Sequence, residues 1–436
     1  MSKTLDLYKF ASNYLVAGVS SSVRLNKALG YPFYTLKGDG PKVFDLEGRE
    51  YLDYCMSHGA SFLGHNNPQI KEAIMKALDM GIICSHDTEY HAQYAKKICE
   101  MVPSCELVRF TCSGTDATLN AIRLAREYTG KEKIVQFEGC FHGYHENVMF
   151  SNHPDLKLAG PEDHPNAVPT SAGIPIEIAN LVKILPYNNV EVLADELRKN
   201  RDEIAAVIIE PVGYNSGCMI PKKEFLQALR TLTKENDILL IFDEILSGFR
   251  MAPGGAQEYY GVIPDLCTLG KSVAGGGGPL SVFGGKKEIM EHIMPLGKVQ
   301  HSGTYNGHLI PVLAGIAALE QISAPGFYDH INKLADKLYK GFNDILQEKK
   351  IKGIVRGIGG MFGIFFGLDE EPYNYRIIAR KYDKEKNMKF YKEAYNTGLY
   401  FADYGGGPAH HGFSSAHSLK DIDETLDKIE IAVRKI

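Results

Sequence analysis

No apolar run in the sequence approaches the roughly 18 residues that a membrane-spanning helix needs, so no membrane span is expected. Excess positive charge is missing too. Charged residues make up 23% of the chain and the formal net charge is −5, which leaves no electrostatic footprint for nucleic acid. The opening MSKTLDLYKFASNYLVAG has neither the long apolar core nor the small-residue cleavage site of a secretory leader. Nor is there a CxxC pair among Cys55, Cys84, Cys99, Cys105, Cys112, Cys140, Cys218 and Cys267. Cysteines scattered in this way point to reduced thiols and a cytoplasmic location, against a disulfide framework or a zinc site. What is there is a chain able to bury a large core: 436 residues, 44% of them hydrophobic, enough for two or three domains.

No repeat or low-complexity linker interrupts it. LDLYKFASNYLVAG reads as an amphipathic helix stopped by Gly18, and KVFDLEGREYLDYC as a hairpin turning at Glu47-Gly48. From about residue 70 to 310, helical and strand patterns alternate. The strand candidates are LVRFTC, KIVQFEG, AAVIIEPV, ILLIFDEI, DLCTLG and LSVFGG, several of them nearly continuous apolar runs. Such runs suit strands covered on both faces, and hence an α/β domain with a mostly parallel sheet. After residue 311 come the helices HLIPVLAGIAALEQI and YDHINKLADKLYKGFNDILQEKK and the strands GMFGIFFG and GLYFADY, a smaller α+β domain.

Two of the strands each deliver a charge at the carboxyl end. IFDEILSGFR, residues 241–250, leaves its apolar run at Asp243 and Glu244, and DLCTLGK, residues 265–271, ends on Lys271. Ligands in open α/β sheets sit beyond the carboxyl ends of the strands, so Asp243 and Lys271 are candidates for one site. Taken singly, each has a plainer reading, a helix cap for Asp243 and a solvated loop position for Lys271. A third strand runs into SGTDATLNAIRLAREYTG, where a helix amino terminus and the hydroxyls of Ser113 and Thr115 could cradle a phosphate. Gly114 would let the backbone approach the anion closely. Ser-Gly-Thr ahead of a helix is also an ordinary N-cap. A fourth element, QFEGCFHGYHENV, sets Phe141 beside His142 between glycines, which reads either as a ring platform or as a tight loop.

Pyridoxal 5′-phosphate needs all four pieces at once. It needs a phosphate cradle, a flat side chain on its ring, a carboxylate facing the pyridine nitrogen and a lysine that forms the Schiff base. The carboxylate keeps the ring nitrogen protonated, so that the ring accepts electrons when a Cα–H bond breaks. A lysine beside a cationic ring also titrates more easily than one in water, which suits it to moving that proton.

The motifs SGTDATLNAIRLAREYTGKEKIVQFEGCFHGYHE, EPVGYNSG, LLIFDEILSGFRMAPGGAQEYYGVIPDLCTLGK and SGTYNGH, in this order and spacing, resemble those of the class III pyridoxal-phosphate aminotransferases, and among them the glutamate-1-semialdehyde aminomutase branch. The resemblance runs from about residue 10 to 430. It implies the type I aminotransferase fold: a large domain, residues 61–310, with a mostly parallel sheet between helices, and a small α+β domain from both chain ends, residues 1–60 and 311–436. It implies a homodimer whose active sites are shared. It assigns the Schiff base to Lys271, the ring nitrogen to Asp243, the phosphate to Ser113, Gly114 and Thr115, and the ring face to Phe141 with His142 beside it. Glu210 falls in the family's Glu-Pro element near the cofactor, Asn215 matches an asparagine near its phenolic oxygen, and Thr304 a threonine that reaches the partner's phosphate. AGVSSSVR resembles the aminomutases' GGVNSPVR, which places Ser21 and Arg24 at the substrate mouth. An arginine fork suits a substrate carboxylate there.

The departures lie in the substrate pocket. His58, in SHG, stands where the aminomutases have tryptophan, and His410, in GGPAHHGFSSAH, where FEAGF carries a glutamate. The stretch after the lysine, GGGGPLSVFGG, also differs from the branch's GGGLPVGAYGG. Losing an aromatic wall and an acid suggests a changed substrate. The expectation is therefore a transaminase that moves nitrogen from a non-α (β- or ω-) amine to a keto acid. Glutamate-1-semialdehyde 2,1-aminomutase is the alternative, with an amino-acid racemase or epimerase third.

Overall fold

Residues 2–405 and 407–436 are described in the computed structural model of the chain, which carries three sheets. The strands are β1 (Thr35–Asp39), β2 (Lys42–Asp45), β3 (Glu50–Asp53), β4 (Leu107–Thr111), β5 (Lys133–Phe137), β6 (Val182–Leu185), β7 (Ile204–Ile209), β8 (Leu239–Glu244), β9 (Leu266–Leu269), β10 (Ser281–Gly285), β11 (Gly353–Ile358), β12 (Met361–Phe366), β13 (Leu399–Tyr400) and β14 (His410–Gly412). The central seven-stranded sheet has the order β4-β10-β9-β8-β7-β5-β6. β10 runs against both neighbours, and the pairs β9-β8, β8-β7, β7-β5 and β5-β6 are parallel.

The continuous apolar runs have a physical cause in two cores, one on each face of this sheet. Along β7 and β8, Val207, Ile209, Leu240 and Phe242 join one apolar cluster, while Ala206, Ile208, Leu239 and Ile241 join another. Side chains of period two therefore meet oil on both sides, and polar residues enter β8 only at its carboxyl end, at Asp243 and Glu244. The helix Gly114–Thr129 feeds Ala117, Ala121, Ile122, Leu124 and Ala125 into one core, and the helix Lys223–Glu235 feeds Phe225, Leu226, Leu229 and Leu232 into the other. Among the described residues no single helix is long and apolar enough to cross a membrane. One pair bent by 75°, Leu309–Ile322 with Phe327–Glu348, passes by length and composition, and its apolar residues pack into the protein's own core.

Two small sheets draw on both chain ends. β13 pairs in parallel with β3, completing the sheet β1-β2-β3-β13, and β14 completes β11-β12-β14. Strands absent from the sequence reading are β1, β6, β11 and β14, all short, mixed in polarity or interrupted by glycine, and the helices Tyr375–Lys381, Lys384–Asn396 and Leu419–Val433 were not named either. The first helix also ends earlier than read, at Ala11 instead of Gly18. Ser12 and Asn13 turn their side chains back onto the Tyr8 and Lys9 carbonyls, at 2.8 and 3.3 Å, in competition with the backbone ladder.

Candidate functional site

The parallel ladder of β8 and β9 sets Asp243 opposite Thr268 and Glu244 opposite Leu269, so Lys271 emerges two residues beyond a register already fixed. Alternation then separates the two adjacent acids. Asp243 faces a cleft of about 190 Å³ that Lys271 also lines. Glu244 points the other way and accepts from the Ala256 amide at 2.6 Å and the Gln257 side chain at 3.0 Å, which fastens the loop that follows.

Asp243 is 4% exposed and held from three sides. His142 approaches one oxygen through Nδ1 at 2.7 Å, and the Ile245 amide and Thr268 hydroxyl donate to the other at 3.1 and 3.0 Å. These contacts fix the orientation of the carboxylate within a nearly dry wall. His142 therefore lies behind the acid, its ring fully enclosed, and its Nε2 has no partner among the described residues. Sequence reasoning placed His142 beside Phe141 on the cofactor; nothing local signalled its bond to an acid so far along the chain.

Lys271 is half-buried with φ of +47°, a left-handed conformation that a side chain adopts at a cost. Desolvation pulls its amine down to about 8; the Asp243 charge opposes that shift and the Arg250 charge adds to it. A substantial neutral fraction near physiological pH follows, as a nucleophilic amine requires. Glu210, at the end of β7, is pushed up to about 7 by burial, against the pull of His142. Its oxygens accept the Phe141 amide at 2.8 Å and the Asn215 amide at 3.4 Å, so one acid fixes two walls of the cleft.

The opposite end of the cleft is the start of the sixteen-residue helix Gly114–Thr129, with Gly114 and Thr115 in its lining. Ser113 is occupied as the cap: its hydroxyl accepts the Asp116 amide at 3.2 Å and donates to the Asp116 carboxylate at 2.8 Å. A Cβ on Gly114 would press on Ile245 at 3.0 Å. Phe141 supplies a flat side wall.

A second cleft of about 320 Å³ adjoins, lined by Arg24, Tyr34, His58 and Asp403 among others. Arg24 donates through Nη1 to Ser20 at 2.7 Å, while Ser21, the position expected at the mouth, sits exposed in the preceding turn and does not line the cleft. Thr304 is exposed in the 301–308 loop and lines neither cleft of its own chain. His410 opens β14 and is buried. Tyr404, which no sequence signal singled out, joins His410 to His58: its hydroxyl lies 3.0 Å from His410 Nε2 and bonds His58 Nδ1. Arg250 was also missed. It is fully buried, donates to the Leu246 carbonyl at 2.9 Å and to that of Gly59, and packs over Phe62 at 4.6 Å.

These groups fit pyridoxal 5′-phosphate. A helix amino terminus with Thr115 suits the phosphate, the Asp243 carboxyl group suits the ring nitrogen, Phe141 suits a ring face, and the partly neutral Lys271 suits the aldehyde. Among the described residues no group of three or more His, Cys, Asp or Glu side chains could hold a metal ion.

Comparison with known proteins agrees on the family and corrects the expected reaction. A family model, aminotransferase class-III, matches residues 26–433. A glutamate-1-semialdehyde 2,1-aminomutase of Methanosarcina acetivorans is 42% identical over 98% of this chain and 97% of its own length. One from Persephonella marina is also 42% identical, over 100% and 99%. An omega-transaminase structure from Sphaerobacter thermophilus superposes with a TM-score of 0.93 at 30% identity, covering 100% of this chain and 98% of its own. The expected transaminase acting on a non-α amine is overturned by the first two. The relatives closer in sequence carry the aminomutase name over their whole length, so two histidines in the pocket are no ground for a different reaction.

Proposed function

The chain belongs to the class III aminotransferases and is a pyridoxal 5′-phosphate enzyme, and from that premise we propose that it is a glutamate-1-semialdehyde 2,1-aminomutase. The observation that carries this reading is the 42% identity to two aminomutases over practically the whole chain. The reaction is an isomerisation: the amino group leaves one carbon and returns to its neighbour on the same skeleton, so no external keto acid is consumed.

When bound, the cofactor supplies the electron sink that lets a C–H bond next to nitrogen break. The rest falls to the chain. Asp243 would hold the proton at the ring nitrogen, its carboxyl group oriented by three contacts. Lys271 takes and returns protons at the reacting carbons, and its lowered pKa lets one amine do both near neutral pH. Gly114 and Thr115 would hold the phosphate, Ser113 shapes that turn as its cap, and Phe141 would offer a face to the ring. Glu210 and Asn215 form the wall between them. Arg24 binds the substrate carboxylate, and His58 and His410 line the remaining pocket. Thr304 completes the phosphate site of the partner in a homodimer.

The test is incubation with glutamate-1-semialdehyde alone. 5-Aminolevulinate should form at a rate unaffected by adding a keto acid. No product, or product only when a keto acid is supplied, overturns the reading.

A further inference from the structure

Segment 56–58 turns in an unusual way. Met56, Ser57 and His58 have φ of +42°, +55° and +55°, three successive non-glycine residues in the left-handed region. Nothing in apolar packing asks for this at His58, which faces the Arg24 cleft. What the turn achieves is to aim His58 Nδ1 at the hydroxyl of Tyr404, whose other neighbour is His410 Nε2 at 3.0 Å.

We infer that Tyr404 is a positioning residue that couples the two histidines into a relay, passing one proton between the Arg24 cleft, which His58 lines, and the buried His410. This rests on reading Lys271 as the reactive amine and is independent of which substrate is bound. A phenol has one proton and one oxygen, so it donates to one imidazole and accepts from the other. In one state Tyr404 donates to His58 Nδ1 and accepts from His410 Nε2, leaving the outer protons on His58 Nε2 and none on His410 Nδ1. In the other, both bonds reverse: His58 Nδ1 donates to the phenol and the phenol donates to His410 Nε2. Interconversion removes one proton from His58 Nε2, shifts two inner protons and adds one at His410 Nδ1. No net charge appears on the triad.

Neutrality is what the surroundings favour. Lys271 is the foremost charged neighbour of both rings; Asp53 and Arg24 also act on His58, and His58, His411 and Arg250 on His410. Burial and the Lys271 charge pull His58 down to about 4 and His410 well below its ordinary range, and burial raises the Tyr404 hydroxyl well above its own. A tautomeric relay moves a proton through such a wall without burying an ion.

The holoenzyme labelled with ¹⁵N-histidine reports which ring nitrogen carries the proton, with no substrate needed. Tyr404→Phe should release the tautomers of both His58 and His410, lower kcat about 10- to 100-fold as an outer partner does, leave KM within about twofold and shrink the solvent isotope effect on kcat. His58→Asn, which keeps a donor at the Nδ1 position but cannot pass a proton on, should lower kcat similarly and serves if Tyr404→Phe does not fold. Parent-like histidine tautomers in Tyr404→Phe overturn the relay. So does a kcat within about twofold of the parent in the folded variants. If the parent forms no 5-aminolevulinate, the substrate reading fails and the tautomer measurement alone decides the relay.

Discussion

Glu210 is the residue whose environment and ordinary chemistry disagree most openly. Burial pushes its carboxyl from 4.5 to about 7, so between those values the folded protein holds a proton that the unfolded chain has released. Stability from this group is therefore present below pH 4.5 and lost as pH rises towards 7. Gln keeps an acceptor for the Phe141 amide and has nothing to titrate. In cofactor-free protein, the advantage of Glu210→Gln over the parent should grow from pH 5 to pH 8, by at most about 3 kcal/mol. Denaturant unfolding at both pH values measures it, and an advantage that does not change with pH contradicts the raised carboxyl.

At the scale of the element, the turn after Lys271 is wedged between two helices. Gly275 has φ of +56°, and a Cβ there would meet Ile70 Cδ1 at 2.4 Å and Ala318 Cβ at 3.0 Å, on the helices Pro68–Asp79 and Leu309–Ile322. Overpacking and a left-handed side chain together should make Gly275→Ala cost about 2–5 kcal/mol, with weaker retention of the cofactor. Thermal unfolding checks the first and gel filtration of the loaded protein the second; a parent-like melting temperature would show that the turn relaxes freely. Elements such as β7, β8, β9 and β10 were legible in the sequence because burial on both faces writes itself as an unbroken apolar run. Asp243 and Lys271 were legible for the same reason, as charges that end such runs. β14 was not, since HHG carries no periodicity, and it is paired only because Met361–Gly363 lies alongside. The bond of His142 to Asp243 and the role of Tyr404 were not legible because they arise between segments: 101 residues separate His142 from Asp243, and 346 separate His58 from Tyr404.

For the whole molecule, three exposed positions bear on the proposed homodimer. Thr304 and Tyr305 stand on the surface, as does Tyr144 beside the phosphate end of the cleft, the tyrosines at 62% and 64% exposure. In the proposed homodimer, Lys271→Ala and Thr304→Ala are each defective. Mixed and allowed to exchange subunits, they should regain up to about half of one native site per dimer, because one site then has both residues intact. Activity that stays absent after exchange has been verified by mass would place Thr304 outside the partner's site. The pairing of β13 with β3 has a further bearing, on biosynthesis. β3 leaves the ribosome early and its partner strand almost last, with Tyr404 and His410 just behind it. A nascent chain halted between Lys271 and β13 has its lysine and its acid but an unpaired edge on β3. Products truncated there leave β3 without its partner, an unpaired strand edge whose amides invite proteolysis and misassociation.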